Sequence, residues 1–109
     1  MSLITTHVLD TSKGKPAQGI EVRLLRLESE NNWQELGCSR TDADGRVSDL
    51  LRGKLLAGTY QLSFATGSYL GESSFYPYIS VVFRVADTNQ HYHVPILLSP
   101  YGFSTYRGS

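Results

Sequence analysis

The sequence predicts an all-β protein, a sandwich of about seven or eight short antiparallel strands with at most one short helix. Three observations lead there. Apolar residues recur at every second position along most of the chain, whereas spacings of three and four are nearly absent. Small clusters of Gly, Asp, Asn, Ser and Pro interrupt that alternation at regular intervals. The 109 residues form one domain (1–109), with no internal repeat, linker or low-complexity tract.

The first strand covers residues 3–10, with Ile4, Thr6 and Val8 on one face and Leu3, Thr5, His7 and Leu9 on the other. Thr11 to Ala17, rich in Ser, Gly, Lys and Pro, reads as a turn. A second strand at 20–28 points Ile20, Val22 and Leu24 inward, and its phase slips at Leu24-Leu25, which predicts a bulge. A polar loop from Glu28 to Asn32 leads into a third strand at 33–40. Asp42-Ala43-Asp44-Gly45 is a turn, because such residues bond their own backbone and tolerate positive φ. A short strand at 47–51, a Gly-bounded connection and a strand at 59–66 follow, the last with Tyr60, Leu62 and Phe64 on one side. Residues 68–73 are the one place for a helical turn. Strands at 78–86 and 91–99 come next, and 103–107 makes a short final one. Pro95 cannot donate to a ladder, so its strand is expected at an edge or bulged there.

Charge is balanced, ten Lys and Arg against ten Asp and Glu. No basic patch suited to nucleic acid or anionic lipid is implied, and the apolar runs are too short to span a bilayer. The first residues lack the basic and apolar regions of a signal peptide, so the cytoplasm is the expected compartment. Cys38 is the only cysteine, which precludes an internal disulfide, and it reads as a small strand residue. Eight of the twelve aromatics lie in the last third: Phe75, Tyr76, Tyr78, Phe83, Tyr92, Tyr101, Phe103 and Tyr106. One small core has no room for all of them, and the excess predicts a subunit interface.

The chemistry-bearing residues are few. His7 lies mid-strand between Thr5 and Leu9, where a single histidine reads as hydrogen-bonded packing. His91 and His93 share one strand face, ~7 Å apart along it. They suit either a metal site or one catalytic group beside a structural one. Zinc would need His7, His91 and His93 to converge; no thiolate or carboxylate stands beside the pair. Calcium fails, because the glycine of the Asp-Ala-Asp-Gly turn comes too early and Gly53 stands where the closing glutamate belongs. No Gly-x-Ser-x-Gly elbow is present, and Cys38 has no nucleophile motif around it. Activation of water by histidine, without metal or cofactor, is then the leading chemistry. Arg46 follows the turn glycine; alone it reads as a solvated arginine, but its fork can also grip a planar anionic heterocycle or a forming oxyanion. The ending Tyr106-Arg107-Gly108-Ser109 sets an aromatic, a guanidinium, a glycine and a hydroxyl beside a carboxylate, straight after a strand-like segment. It reads as placed rather than loose.

Five blocks carry a resemblance to a known family: Thr5-Thr6-His7-Val8-Leu9-Asp10, Gly14-Lys15-Pro16-Ala17, Thr41-Asp42-Ala43-Asp44-Gly45-Arg46, His91-Tyr92-His93-Val94-Pro95 and Tyr106-Arg107-Gly108-Ser109. In that order, across nearly the whole chain, they resemble the 5-hydroxyisourate hydrolases, the transthyretin-related enzymes of urate breakdown. The resemblance implies a transthyretin-like sandwich that opens the six-membered ring of 5-hydroxyisourate at an amide, giving 2-oxo-4-hydroxy-4-carboxy-5-ureidoimidazoline. It places His7, Arg46, His93 and Ser109 in the catalytic set, with His7, Arg46 and Tyr106 binding substrate and no metal or cofactor. His91 is left in a supporting position. It also implies a homotetramer, a dimer of dimers, with each site at the dimer–dimer interface and completed by a neighbour's tail. Members of the family occur in cytosol, periplasm and peroxisome. The segment Tyr69 to Ser74 is about three residues shorter than the family pattern, close to one helical turn, so a helix there is in doubt. Two other resemblances compete. Val8-Leu9-Asp10, Gly14, Pro16, Gly19, the Asp-Ala-Asp-Gly turn and Gly58-Thr59-Tyr60 also resemble non-catalytic carboxypeptidase-regulatory-like modules. A transthyretin-like hormone carrier would share the fold without the His, Arg, His and tail set.

Overall fold

Alternation along Ile4–Asp10 (β1) resolves into two faces: Ile4, Thr6, Val8 and Asp10 are buried, while Thr5, His7 and Leu9 are half-buried. The computed structural model describes residues 3–72 and 74–109. The remaining elements are β2 (Lys15–Pro16), β3 (Glu21–Ser29), β4 (Asn32–Arg40), β5 (Arg46–Val47), β6 (Gly58–Phe64), α1 (Gly67–Leu70), β7 (Ile79–Val85), β8 (Tyr92–Ser99) and β9 (Gly102–Thr105). They form the expected sandwich. One sheet runs β2-β1-β8-β9 with β5 also paired to β1, and the other runs β4-β3-β6-β7.

The inward residues of both sheets meet in one core. Ile4 and Val8 of β1 and Ile96 and Leu98 of β8 lie with Val22 and Leu24 of β3 and Tyr60, Leu62 and Phe64 of β6, every one at most 1% exposed. Each such side chain contributes roughly 1.5–3 kcal/mol relative to exposure. The chain's polar edges are tied in as well. Buried Asp10 accepts from the Ser12 hydroxyl (2.7 Å) and the Tyr69 phenol (2.8 Å), fixing α1 against the end of β1. Burial alone would raise the Asp10 pKa, but these bonds and the Ser12 and Lys13 amides bring it below the ordinary value. Burial and the bond to Asp10 push the Tyr69 phenol up to about 12.

Several expectations need correction. The anticipated strand at 47–51 is only Arg46–Val47: Leu50 is buried, so its apolar signal reflects packing rather than pairing. The loop at 28–32 is tighter, since β3 continues to Ser29 and β4 starts at Asn32, with Asn31 at φ 60° making the reversal. Part of the expected turn at 11–17 pairs as β2 with Leu9 and Asp10. The helix is one turn, and Ser73 of the expected 68–73 lies outside the described residues. The register shift at Leu24/Leu25 stands where the phase slip puts it. Not every strand pair is antiparallel: β1 and β8 run parallel, a matter on which alternation is silent. Pro95 lies in neither an edge nor a bulge. Its strand is central, β9 pairs from Ile96↔Thr105, and the bridge His93↔Gly108 resumes in the same register. The missing N–H leaves a gap between them, where the Thr105 hydroxyl donates to the Pro95 carbonyl (2.8 Å). Of the late aromatics, Phe75, Tyr76, Tyr78, Tyr101, Phe103 and Tyr106 are exposed, whereas Tyr92 joins the core and Phe83 packs against it.

Candidate active site

The turn after β4 builds one wall. The Asp42 carboxylate accepts from the Asp44 amide (2.9 Å) and the Arg46 amide (3.0 Å). The Asp42 amide in turn donates to the Arg46 carbonyl (3.0 Å). Gly45 takes φ 74°, and its carbonyl receives the Val8 amide at 2.7 Å. A Cβ there would stand 2.4 Å from the Val8 carbonyl, so only glycine lets the turn lie on β1. The amide of Arg46 holds the Asp42 carboxyl below its usual value against some desolvation, helped by the Asp44 amide and the charges of Arg46 and His7. The result is an Arg46 fixed opposite His7 across the β1–β5 ladder, exposed and without an ion pair among the described residues.

The parallel pairing of β1 with β8 builds the other wall. It sets Thr5 opposite His93 and His7 opposite Pro95. His91 precedes β8, and its ring centroid is 6.1 Å from that of His93, so the two imidazoles do share a face. The Thr5 hydroxyl lies 2.8 Å from His91 Nε2 and 2.8 Å from His93 Nδ1. Burial lowers the His93 pKa below the ordinary histidine value, and the charges of His91, His7 and Arg46 lower it further. A half-buried imidazole kept neutral is a base.

The tail closes the site. The Gly108 amide donates to the His93 carbonyl (2.8 Å), and a Cβ on Gly108 would come within 2.5 Å of His93 Cδ2. Glycine is thus what allows the chain to lie against the imidazole. The Arg107 guanidinium stacks 4.6 Å from the Tyr92 ring and donates to Gln90 Oε1 at 2.7 Å. So fastened, Ser109 reaches an open pocket of about 250 Å³ lined also by Thr5, Arg46, Ser48, His91 and His93.

Of the residues expected from sequence, Arg46, His93 and Ser109 therefore meet in one pocket. His7 stands beside it rather than lining it, close enough for its charge to act on His93 and Asp42. Tyr106 is not brought in: it is 58% exposed, opposite Pro95 in the β8–β9 register, and lies outside that lining. Ser109 reaches the pocket of its own chain, where the Gly108 bridge holds it. His91 lines the pocket too, instead of standing behind it. Thr5 and Ser48 were not anticipated. Thr5 was discoverable as the residue two before His7 on the same strand face; Ser48 carries no such signal. Among the described residues, no three His, Cys, Asp or Glu side chains gather as a metal site requires. Cys38 is exposed on β4, in the other sheet.

Residues 4–108 match the HIUase/Transthyretin family. The 5-hydroxyisourate hydrolase of Mus musculus is 50% identical over 113 residues, covering 99% of this chain and 96% of the mouse protein. The structure of Klebsiella pneumoniae 5-hydroxyisourate hydrolase superposes with a TM-score of 0.86 at 36% identity, covering all of both chains. Sea bream transthyretin in complex with thyroxine gives 0.89 at 27% identity, covering 96% of this chain and 93% of its own.

Proposed function

From the premise that this chain belongs to the HIUase/Transthyretin family, we infer that it is a 5-hydroxyisourate hydrolase of urate degradation, with its chemistry in the pocket of His93, Arg46 and Ser109. The observation that carries the site assignment is His93, gripped between Thr5 and Gly108 with an unpaired Arg46 across the mouth. His93 Nε2 takes a proton from water as the oxygen attacks a ring carbonyl of 5-hydroxyisourate. The carbonyl–nitrogen bond then breaks, and the proton goes to the departing ring nitrogen. His7 orients the water. Arg46, which makes no ion pair among the described residues, holds the heterocycle and stabilises the developing oxyanion. Ser109 positions substrate against the imidazole.

The working assembly is a homotetramer with its sites between dimers. The exposed Phe75, Tyr76 and Phe103, which pack edge to face at 4.9 and 5.3 Å, support a covered surface of that kind. In that assembly Tyr106, outside its own pocket, positions substrate in a neighbour's site. A hormone carrier is disfavoured by the polar site and by the lower identity to transthyretin, and a spacer module needs none of these groups.

The test is direct. Purified protein should accelerate the decay of freshly prepared 5-hydroxyisourate, followed by ultraviolet absorbance. Decay at the spontaneous rate would overturn the assignment.

A further inference from the structure

A hydroxyl carries one proton, yet the Thr5 hydroxyl contacts His91 Nε2 and His93 Nδ1 at the same 2.8 Å. The one arrangement this forbids is two bare ring nitrogens: either both rings donate to the oxygen, or one ring donates while the oxygen donates to the other, and only the second gives a continuous chain of protons. In that second arrangement the tautomers of the two histidines are tied together. A proton on His93 Nδ1 goes with a bare His91 Nε2, and the reverse. Thr5 is itself held in place, as the partner of His93 in the β1–β8 ladder and as a β-branched side chain with few rotamers. The two rings differ in one respect that matters for charge: His93 is half-buried and His91 is exposed.

We propose that Thr5 is a positioning and proton-relay residue of the hydrolysis, coupling the base His93 to the solvent-facing His91. This rests on the reading of His93 as the base. At rest, His93 Nδ1–H donates to Thr5, the Thr5 hydroxyl donates to His91 Nε2, and the proton of His91 sits on Nδ1. His93 Nε2 is then the free lone pair. When it takes the proton from water, His93 becomes a cation in a half-buried place beside His7 and Arg46, where positive charge is disfavoured. The Nδ1 proton passes to Thr5 as the hydroxyl proton passes to His91 Nε2. His93 is neutral again, with its proton on Nε2, and the charge rests on His91 in contact with water. Delivery of the Nε2 proton to the departing ring nitrogen runs the relay backwards and restores the starting tautomers. Every proton is accounted for, and no further reactant is needed.

Thr5→Val keeps the branched shape and removes the hydroxyl; Thr5→Ser keeps the hydroxyl. Thr5→Val should lower kcat by roughly ten- to a hundredfold, the worth of one charge-assisted hydrogen bond, with KM little changed. The ¹⁵N shifts of the His93 ring should lose their single-tautomer pattern, and Thr5→Ser should restore both readouts. His91→Ala should show a loss like that of Thr5→Val, and the double variant should fall no further, because a relay broken once is broken. Thr5→Val with normal kcat and unchanged ¹⁵N shifts would overturn the proposal, as would losses that multiply in the double variant. His91→Ala lies outside the sheet and carries the same test should Thr5→Val fail to fold. If His93→Ala is inactive while Thr5→Val is normal, only the relay fails; if both are fully active, the site assignment itself is wrong.

Discussion

The two sheets differ in how many charged groups their strands carry and in how those groups are partnered. On the β4-β3-β6-β7 sheet most charges are paired: Arg23 bonds Glu21 (3.0 Å) and Glu35 (2.9 Å), and Arg26 lies 3.6 Å from Glu28, while Arg40 and Arg84 make no ion pair among the described residues. On the other sheet Arg46 has no ion pair among the described residues; its charge is felt by the Asp42 carboxyl, and its side chain lines a pocket with His91 and His93. Paired charges satisfy each other and leave nothing for a ligand. An arginine held beside a neutral base without a salt-bridge partner leaves its guanidinium donors for a substrate. The difference arises from topology. The parallel β1–β8 pair brings residues 5–7 next to residues 91–93, and the β1–β5 pair adds Arg46. No such convergence from distant parts of the chain occurs in the β3–β4 hairpin.

The largest expected effects lie on the unpaired face. His93→Ala should reduce kcat by about 10²–10⁴, the usual worth of a general acid–base group, and His7→Ala, which removes only the group that orients the water, should reduce it less. Circular dichroism should remain unchanged. Deleting Tyr106 to Ser109 should abolish turnover in a protein that stays folded, because three of the four residues are exposed. Since Ser109 serves its own pocket, mixing the truncated protein with His93→Ala protein should restore nothing after subunit exchange. Recovered activity would place Ser109, as well as Tyr106, in a neighbour's site. A smaller loss comes next. Arg46→Lys should be nearly as damaging as Arg46→Ala, since an ammonium keeps the charge and loses the two-pronged grip. A lysine variant with near-normal kcat/KM would reduce Arg46 to a source of field.

Much of this was legible in the sequence, for identifiable reasons. Alternation places Thr5 and His7 on one face of β1 and His91 and His93 on one side of β8, because side-chain direction in a strand depends only on parity. The Asp-Ala-Asp-Gly turn announces itself through residues that bond their own backbone. Pairing partners are another matter. Nothing in residues 3–10 says that β8 lies alongside in parallel, so the Thr5 bridge between two histidines could not be foreseen. The burial of Leu50 without a strand, and a central strand carrying Pro95, follow from packing between distant segments. Those are tertiary facts that local pattern does not encode. The tail was conspicuous for its functional groups, yet its route depends on a glycine meeting the His93 ring.

Because burial and the nearby charges of His91, His7 and Arg46 lower the His93 pKa, its neutral form should persist below the ordinary value of about 6.5. The acidic limb of the kcat/KM profile should therefore lie on the acid side of that value. For stability, the folded protein binds less proton at His93 than the unfolded chain does. Stability from this group is thus fully present above the unfolded pKa and declines as pH falls through it towards the lower folded value. An NMR titration of the His93 ring checks both, and a midpoint at or above the unperturbed value would refute them.

The smallest effect should come from the paired face. Arg23 makes more charged contacts than Arg46 does, so counting interactions would rank it the more important residue. The solvent exposure of its ion pairs makes it the less important of the two. Its side chain is 51% exposed and Glu35 is 44% exposed, so water screens both partners and holding the long side chains in one geometry costs entropy. Arg23→Ala should leave kcat/KM at the level of the unmodified protein and move Tm by no more than about 4 °C, as expected for a surface pair. Arg23→Glu is the sharper version, since it sets three carboxylates together and should lower Tm further while still sparing turnover. Loss of activity in either variant, with Tm held, would mean that the paired face contributes to catalysis, and the contrast between spent and available charge would have to be given up.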